Sequence, residues 1–130
     1  MIVLDASAAI AILLQLANSG TVMNRIFADG ETLHAPHLID VEVTQVVRRY
    51  WRAGDITPGR GADALSDLSL LPLQRYSHEP LLARIWQLRN NVSAYDAAYI
   101  ALAEGLDATF VTMDSALARI PGGRVPVEVY

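Results

Sequence analysis

The sequence predicts an α/β fold in which a short, mostly parallel sheet of four or five strands is flanked by helices. Short runs rich in Val, Ile and Leu alternate along the chain with longer segments whose apolar residues recur at helical spacing. Turn residues separate these segments. Hydrophobic residues make up 52% of the 130 residues, which is enough to build a core. We therefore expect one domain over residues 1–130.

Strands and helices are predicted to alternate from the first residues onward. The clearest boundaries are Thr57-Pro58, an N-cap followed by proline at the first helical position, and the capping-box pattern from Ser93 to Asp96. Gly105 is expected to close the helix that the capping box opens. The predicted strands are residues 2–4, 32–35, 71–73, 108–112 and 125–129, and the predicted helices are residues 6–16, 21–28, 36–53, 58–70, 79–88, 97–104 and 114–118.

The composition excludes several classes of function. Without cysteine there is no disulfide framework, thiolate zinc site or cysteine nucleophile. Without lysine there is no Schiff-base chemistry and no ordinary phosphate-binding loop. The formal charge of −4 argues against a protein that holds nucleic acid by bulk positive charge.

The sequence shows no targeting or membrane segment. The apolar run from Met1 to Leu16 is interrupted by Asp5 and has no basic residue before it, so it lacks the charged first region of a signal peptide. No stretch approaches the ~20 apolar residues of a membrane span. We expect a cytoplasmic protein that does not bind a membrane.

Four carboxylates occupy unusual places in the predicted fold. Asp5 ends the first strand and Asp114 lies just beyond the 108–112 strand, so two strands that are not consecutive point acids at the same sheet edge. Glu42 lies among apolar residues of a helix, and Asp96 is in the first turn of an alanine-rich helix. These strand ends and helix N-termini converge on one face of an α/β sheet.

Each acid also has an ordinary structural interpretation. Asp5 and Asp114 fit N-caps, Asp96 fits the third residue of a capping box, and Glu42 fits a surface position near a helix N-terminus. Helix N-termini are expected to lower the pKa of these carboxyls and keep them ionised at neutral pH.

Four ionised carboxylates in close proximity repel one another and need a cation. Ligation by oxygen alone favours Mg²⁺, or Mn²⁺, over Zn²⁺. A bound ion of this kind lowers the pKa of a water and clamps phosphate oxygens during in-line displacement. The acids therefore predict metal-dependent phosphate chemistry.

Four segments in order along the chain resemble PIN domains, and most closely the VapC-type toxins of bacterial toxin–antitoxin pairs. They are residues 2–8, Pro36 to Glu42, Ser93 to Ala103, and Val111 to Asp114. The resemblance implies a single PIN-like domain that acts as a Mg²⁺-dependent endoribonuclease on a structured RNA (tRNA, rRNA or mRNA).

The resemblance also implies site residues and partners. The acidic, metal-binding and catalytic cluster would be Asp5, Glu42, Asp96 and Asp114, with Ser7 and Thr112 supporting it by hydrogen bonds. The expected partners are the RNA substrate, a second copy in a homodimer, and a VapB-like cognate antitoxin whose tail enters the active-site groove. Operator DNA would be bound only through the antitoxin.

Arginines are the only cations available to contact RNA. Arg48, Arg49 and Arg52 cluster near the end of the Glu42 helix, where they either complement the helix dipole or contact RNA phosphate or an antitoxin carboxylate. Arg49 is seven residues from Glu42 and so shares its face, at about 10 Å.

For several aromatic and histidine side chains the sequence predicts mainly structural roles. Trp51 and Trp86 are expected to pack in the core or in a dimer contact. Tyr95 and Tyr99 either pack together or leave Tyr95 lining the groove. The three histidines, His34, His37 and His78, lack metal-ligand spacing and are expected to be structural or exposed.

Two other functions stay open at the level of sequence. One is a non-catalytic α/β binding module, although all four acids are present. The other is a metal-dependent nuclease or phosphohydrolase that uses the same cluster on another substrate.

Overall fold

The computed structural model describes residues 1–130 and contains one five-stranded sheet with every neighbouring pair parallel. The strands are β1 (Ile2–Leu4), β2 (Leu33–Pro36), β3 (Leu73–Tyr76), β4 (Thr109–Thr112) and β5 (Val127–Val129). The helices are α1 (Ala6–Leu13), α2 (Ser19–Ile26), α3 (Leu38–Arg52), α4 (Pro58–Leu70), α5 (Leu82–Gln87) and α6 (Ala94–Leu106), with short 3₁₀ turns at Glu79–Leu81 and Ser115–Leu117. The strand order is β3-β2-β1-β4-β5, so the predicted fold class is confirmed.

Several boundaries differ from the prediction for identifiable reasons. Gly105 lies inside α6, and the helix ends at Asp107, whose short side chain tolerates the left-handed conformation (φ 51°). Helix α1 stops at Leu13 rather than Leu16, and the guanidinium of Arg60 donates to the Leu13 carbonyl. The third strand begins at Leu73, two residues later than predicted.

The core lies on both faces of the central strands. Twenty-eight buried residues form one hydrophobic cluster, and all three residues of β1 are fully buried. A central strand of a parallel sheet is covered by helices on both faces, which explains its uninterrupted apolar sequence. No helix has the length and apolar character needed to cross a membrane.

Ion pairs attach the two edges of the sheet to the rest of the molecule. At one edge Arg75 of β3 donates to both oxygens of Asp40 in the first turn of α3, at 2.8–3.0 Å. At the other edge Arg25 of α2 bridges Glu31 and Glu128 of β5. The helix that carries Glu42 is therefore bound to an edge strand.

The buried histidine of β2, His34, is hydrogen-bonded to two neutral side chains. His34 Nε2 lies 2.8 Å from the Thr32 hydroxyl and Nδ1 lies 2.8 Å from the Tyr76 hydroxyl. Burial lowers the pKa of His34, and the positively charged N-terminus lowers it further. The folded state therefore favours the neutral imidazole, as expected for a structural histidine.

We predict that His34 contributes to acid destabilisation. The unfolded chain binds a proton at His34 below about pH 6.5 and the folded chain resists it, so the free energy of unfolding falls as the pH drops below that value. His34→Gln should make the difference between pH 7.5 and pH 5.5 smaller, as measured by urea unfolding. His37→Gln, at an exposed position, is the control and should keep the wild-type difference. An unchanged pH dependence in His34→Gln would contradict the prediction.

Candidate active site

Asp5 is the buried centre of the acidic cluster. It follows β1, N-caps α1 and is only 6% exposed. Its Oδ1 accepts hydrogen bonds from the Ser7 hydroxyl (2.7 Å) and the Ala8 N–H (2.9 Å), and its Oδ2 accepts one from the Thr112 hydroxyl (2.5 Å). A carboxylate has about four lone-pair sites, so these donors orient Asp5 and leave it little freedom.

Ser7 and Thr112 connect Asp5 to the chain that follows β4. The Ser7 hydroxyl accepts from the Met113 N–H (2.8 Å), and the Thr112 hydroxyl accepts from the Asp114 N–H (3.0 Å). Strands β1 and β4 are hydrogen-bonded neighbours, although they lie far apart in the sequence. Each hydroxyl therefore donates to the Asp5 carboxylate and accepts from a backbone N–H, that of Met113 or Asp114.

Three further carboxylates approach from other elements. Glu42, in the second turn of α3, accepts from the Tyr99 hydroxyl at 2.5 Å through Oε2. Asp96, in the first turn of α6, accepts from the Ser93 hydroxyl at 2.8 Å through Oδ2. Asp114 N-caps the 3₁₀ turn after β4 and accepts from the Ala116 N–H at 2.9 Å through Oδ1.

All four carboxylates line one cavity of about 160 Å³, which we call the acidic cavity. Its other lining residues are Ala6, Ser7, Tyr99 and Leu117. The N-cap interpretations of Asp5 and Asp114 are thus correct and compatible with a place in the site. Glu42 is half-buried rather than a surface residue. The capping box forms in part: the Ser93 hydroxyl accepts from the Asp96 N–H at 3.1 Å, as predicted, but the Asp96 carboxylate accepts from that hydroxyl instead of from the Ser93 N–H.

The electrostatics of the cavity differ from the sequence prediction. Burial raises the pKa of Asp5 against the opposing hydrogen bonds from Thr112, Ala8 and Ser7, and the charge of Asp96 raises it further. Burial also raises the pKa of Glu42, with Asp96 and Asp5 adding to the rise and the Tyr99 hydroxyl opposing it. The predicted lowering by helix N-termini is wrong for these two carboxyls because burial outweighs it.

The donor set fits a hard divalent cation. Glu42, Asp96 and Asp114 each use one carboxylate oxygen in the hydrogen bonds described above, which leaves the other oxygen of each without a hydrogen bond. No three acidic or histidine groups are arranged to hold an ion together, so an ion here would be held by one or two carboxylates and by water, as is usual for Mg²⁺. Only oxygen ligands are present, and their mutual repulsion is what a cation would relieve.

A second cavity of about 320 Å³, which we call the side groove, adjoins the acidic cavity. The two share Ala6 and Glu42, and the side groove is further lined by Leu38, Val41, Gln45, Val46, Arg49 and Tyr95. Arg49 lies on the same face of α3 as Glu42, as the spacing predicts. Arg48 and Arg52 are exposed and line neither cavity.

The burial of the tyrosines and tryptophans differs from what the sequence mainly predicts. Tyr95 is 62% exposed in the side groove, whereas Tyr99 is buried and stacks on Phe110 with 6.4 Å between ring centroids. Trp51 and Trp86 are also exposed, so the core interpretation is wrong for both. Sequence reasoning missed the contact between Tyr99 and Glu42, although Tyr99 lies three residues after Asp96 on the same helix face.

Comparisons with known proteins identify the family of this chain. A family model described as the PIN domain matches residues 2–123. Ribonuclease VapC9 of Mycobacterium tuberculosis is 42% identical over 129 residues, covering 99% of this chain and 98% of the relative. Ribonuclease VapC1 of the same species is 39% identical over 128 residues, covering 98% of this chain and 94% of the relative.

Solved structures show the same fold at low sequence identity. VapBC2 from Rickettsia felis, bound to a DNA fragment from its promoter, matches with a TM-score of 0.71 and 17% identity over 99% of this chain and 98% of the other. Mycobacterium tuberculosis VapC20, described as a sarcin-ricin loop cleaving toxin, matches with a TM-score of 0.69 and 17% identity over 95% and 97% of the two chains. The chain belongs to the PIN domain family and, within it, to the VapC ribonucleases.

We predict that the Thr112 hydroxyl is required for stability. Thr112→Val removes the donor to Asp5 Oδ2 and the acceptor for the Asp114 N–H at a buried position, which should lower the free energy of unfolding by about 1–3 kcal/mol. Urea unfolding in metal-free buffer measures the change. Thr112→Ser keeps the hydroxyl and should recover most of the loss. A Thr112→Val variant as stable as the wild type would contradict the prediction.

Proposed function

We propose that this chain is an endoribonuclease toxin that hydrolyses phosphodiester bonds of a structured RNA with the help of Mg²⁺, for which Mn²⁺ can substitute. The observation that carries the proposal is the convergence of Asp5, Glu42, Asp96 and Asp114 from four separate elements on one cavity. RNA as the substrate is supported by relatives named as ribonucleases at up to 42% identity over nearly the whole chain.

Three roles are divided among the four acids in the proposed reaction. Asp5, fixed by three donors, and Asp96 of α6 would hold a divalent ion, and that ion would supply a water of lowered pKa and neutralise charge on the phosphate. The raised pKa of Glu42 suits it to accept a proton from the attacking water through Oε1, and Asp114 orients this water.

The products follow from the bond that breaks. The water oxygen bonds to phosphorus, the bond between phosphorus and the 3′ oxygen breaks, and the leaving oxygen takes a proton from solvent. The RNA fragments therefore carry a 5′-phosphate and a 3′-hydroxyl. Tyr99 holds Glu42 Oε2 throughout, so only Oε1 is available to the water.

We propose three macromolecular partners besides RNA. Homologous folds have been solved as VapBC complexes on DNA, from Rickettsia felis and Salmonella typhimurium, which supports a VapB-like antitoxin for this chain. Operator DNA would be bound only through that antitoxin, and the toxin itself would form a homodimer. The cytoplasm is the proposed compartment because the RNA substrate is there.

We predict that Asp96→Asn separates activity from stability. Cleavage of RNA in Mg²⁺ should fall by about 100-fold or more, beyond what the loss of a merely supporting group costs. In chelator the variant should be as stable as the wild type or more stable, because Asp96 repels the charges of Asp5 and Glu42. Cleavage assays and urea unfolding on the same preparation measure both effects.

Asp63→Asn is the matched control for this experiment. It removes the same charge from an exposed position on α4, away from the cavity. We expect it to change neither the rate of RNA cleavage nor the free energy of unfolding. Chelator-resistant cleavage by both wild type and Asp96→Asn would refute the metal site. If the wild type cleaved the 2′-deoxy analogue of the RNA equally well, the substrate would not be specifically RNA. If Mg²⁺ stabilised the protein but no RNA were cleaved, a non-catalytic binding module would be favoured.

We further predict that Mg²⁺ stabilises the folded chain through the same carboxylates. Ion binding to the native state should raise the melting temperature progressively as the Mg²⁺ concentration increases above the dissociation constant. The rise should appear in wild type and Asp63→Asn and shrink in Asp96→Asn. Thermal unfolding over a Mg²⁺ titration tests this without reference to activity. An identical rise in melting temperature in all three proteins would show that the ion binds outside the acidic cavity.

A further inference from the structure

The side groove offers an apolar surface directly beside the acidic cavity. Leu38, Val41 and Val46 of α3 form one wall and Tyr95 of α6 contributes to the other. The two cavities share Ala6 and Glu42 in their linings, so they are direct neighbours. A group attached to a phosphate at the carboxylates therefore lies within reach of this groove.

Tyr95 is an unpartnered aromatic ring at this place. Tyr95 is 62% exposed, and its helical neighbour Tyr99 packs on Phe110 instead. Val41, in the same groove, is 70% exposed. Adjacent exposed apolar side chains in a concave site are typical of a binding surface. A tyrosine ring stacks with any nucleobase because every base has a π-face.

Arg49 supplies a positive charge in the same groove. The five ion pairs of the chain use Arg25, Arg75, Arg84 and the N-terminus, so the guanidinium of Arg49 has no carboxylate partner. An unpaired guanidinium is well suited to a phosphate. The groove thus combines an aromatic ring with a cation, next to a cavity lined by carboxylates.

We propose that the side groove binds the nucleotide adjoining the scissile phosphate, with its base stacked on Tyr95 and its outer phosphate on Arg49. This inference rests on the proposed ribonuclease function and extends it to substrate positioning. Aromatic stacking and an arginine contact recognise a flexible, unstacked nucleotide rather than a paired one. Tyr95 therefore selects RNA whose base is free to leave its own stack, as in a loop.

The test uses the full chain and a hairpin RNA with a randomised loop, whose cleavage sites are mapped first. An efficiently cut loop is then synthesised with an abasic nucleotide on either side of the cut. We expect Tyr95→Leu to lower kcat/KM on the intact RNA by about 5- to 150-fold, mainly through KM, since stacking contributes about 1–3 kcal/mol per base. On the RNA that lacks the stacked base, Tyr95→Leu should have little further effect.

Two control variants accompany this comparison. Tyr95→Phe keeps the ring and should rescue most of the loss. Trp86→Leu removes another exposed aromatic that lines neither cavity, and should behave as wild type on every RNA.

The outcomes separate this inference from the proposed function. Equal losses for Tyr95→Leu on intact and abasic RNA would overturn stacking. Unchanged RNA cleavage with weakened binding of a purified antitoxin would assign the groove to the partner protein and also overturn it. If the wild type cleaves no RNA, the proposed function fails, and fluorescence anisotropy of the hairpin RNA with the randomised loop, measured in chelator, tests the groove instead. In that assay, equal affinities of wild type and Tyr95→Leu for this RNA would overturn the stacking contact.

Discussion

The parallel pairing of β1 with β4 is the constraint on which the site depends. The register aligns Leu4 with Val111, so that Asp5 and Thr112 leave the two strands side by side. The Thr112 hydroxyl then reaches the Asp5 carboxylate, and the backbone just beyond turns Asp114 toward the same cavity. A slip of one residue would point Thr112 to the opposite face of the sheet and remove both contacts. The strand pairing that fixes this register therefore also brings the acids together.

The same arrangement opposes folding electrostatically. Burial and mutual repulsion raise the pKa of Asp5 and Glu42, and hydroxyl and backbone donors offset only part of this effect. The formal charge of −4 equals the number of acids in the cavity, and without them the chain would be neutral. The acidity that argues against binding nucleic acid by bulk charge is thus concentrated at one point. The proposed cation at these acids would reconcile an acidic protein with an RNA substrate.

The sequence predicts the parts of the site that local rules determine. Asp5 and Asp114 are identifiable because carboxyl ends of parallel strands meet at one edge, whatever the details of packing. The pKa of Glu42 is not predictable in this way, since its burial depends on how α3 sits against α6. Nor does helical periodicity reveal that Trp86 is exposed, because an apolar stripe does not say which of its members faces the core. Asp107 takes the helix-ending position expected of Gly105 because a short polar side chain also tolerates that conformation.

Helix α3 carries residues of both the proposed catalytic site and the proposed substrate-binding groove. It carries Glu42 at the acidic cavity and Arg49 in the side groove, so any shift of the helix moves both together. No residue of the segment 55–88 lines either cavity, yet this segment holds α3 in place. Arg75 binds Asp40 in the first turn of α3, and a Cβ added at Gly61 of α4 would lie 3.2 Å from Cγ1 of Val47, which shows how closely α4 approaches α3. The segment 55–88 therefore supports the candidate site indirectly, by holding the helix that carries two of its side chains.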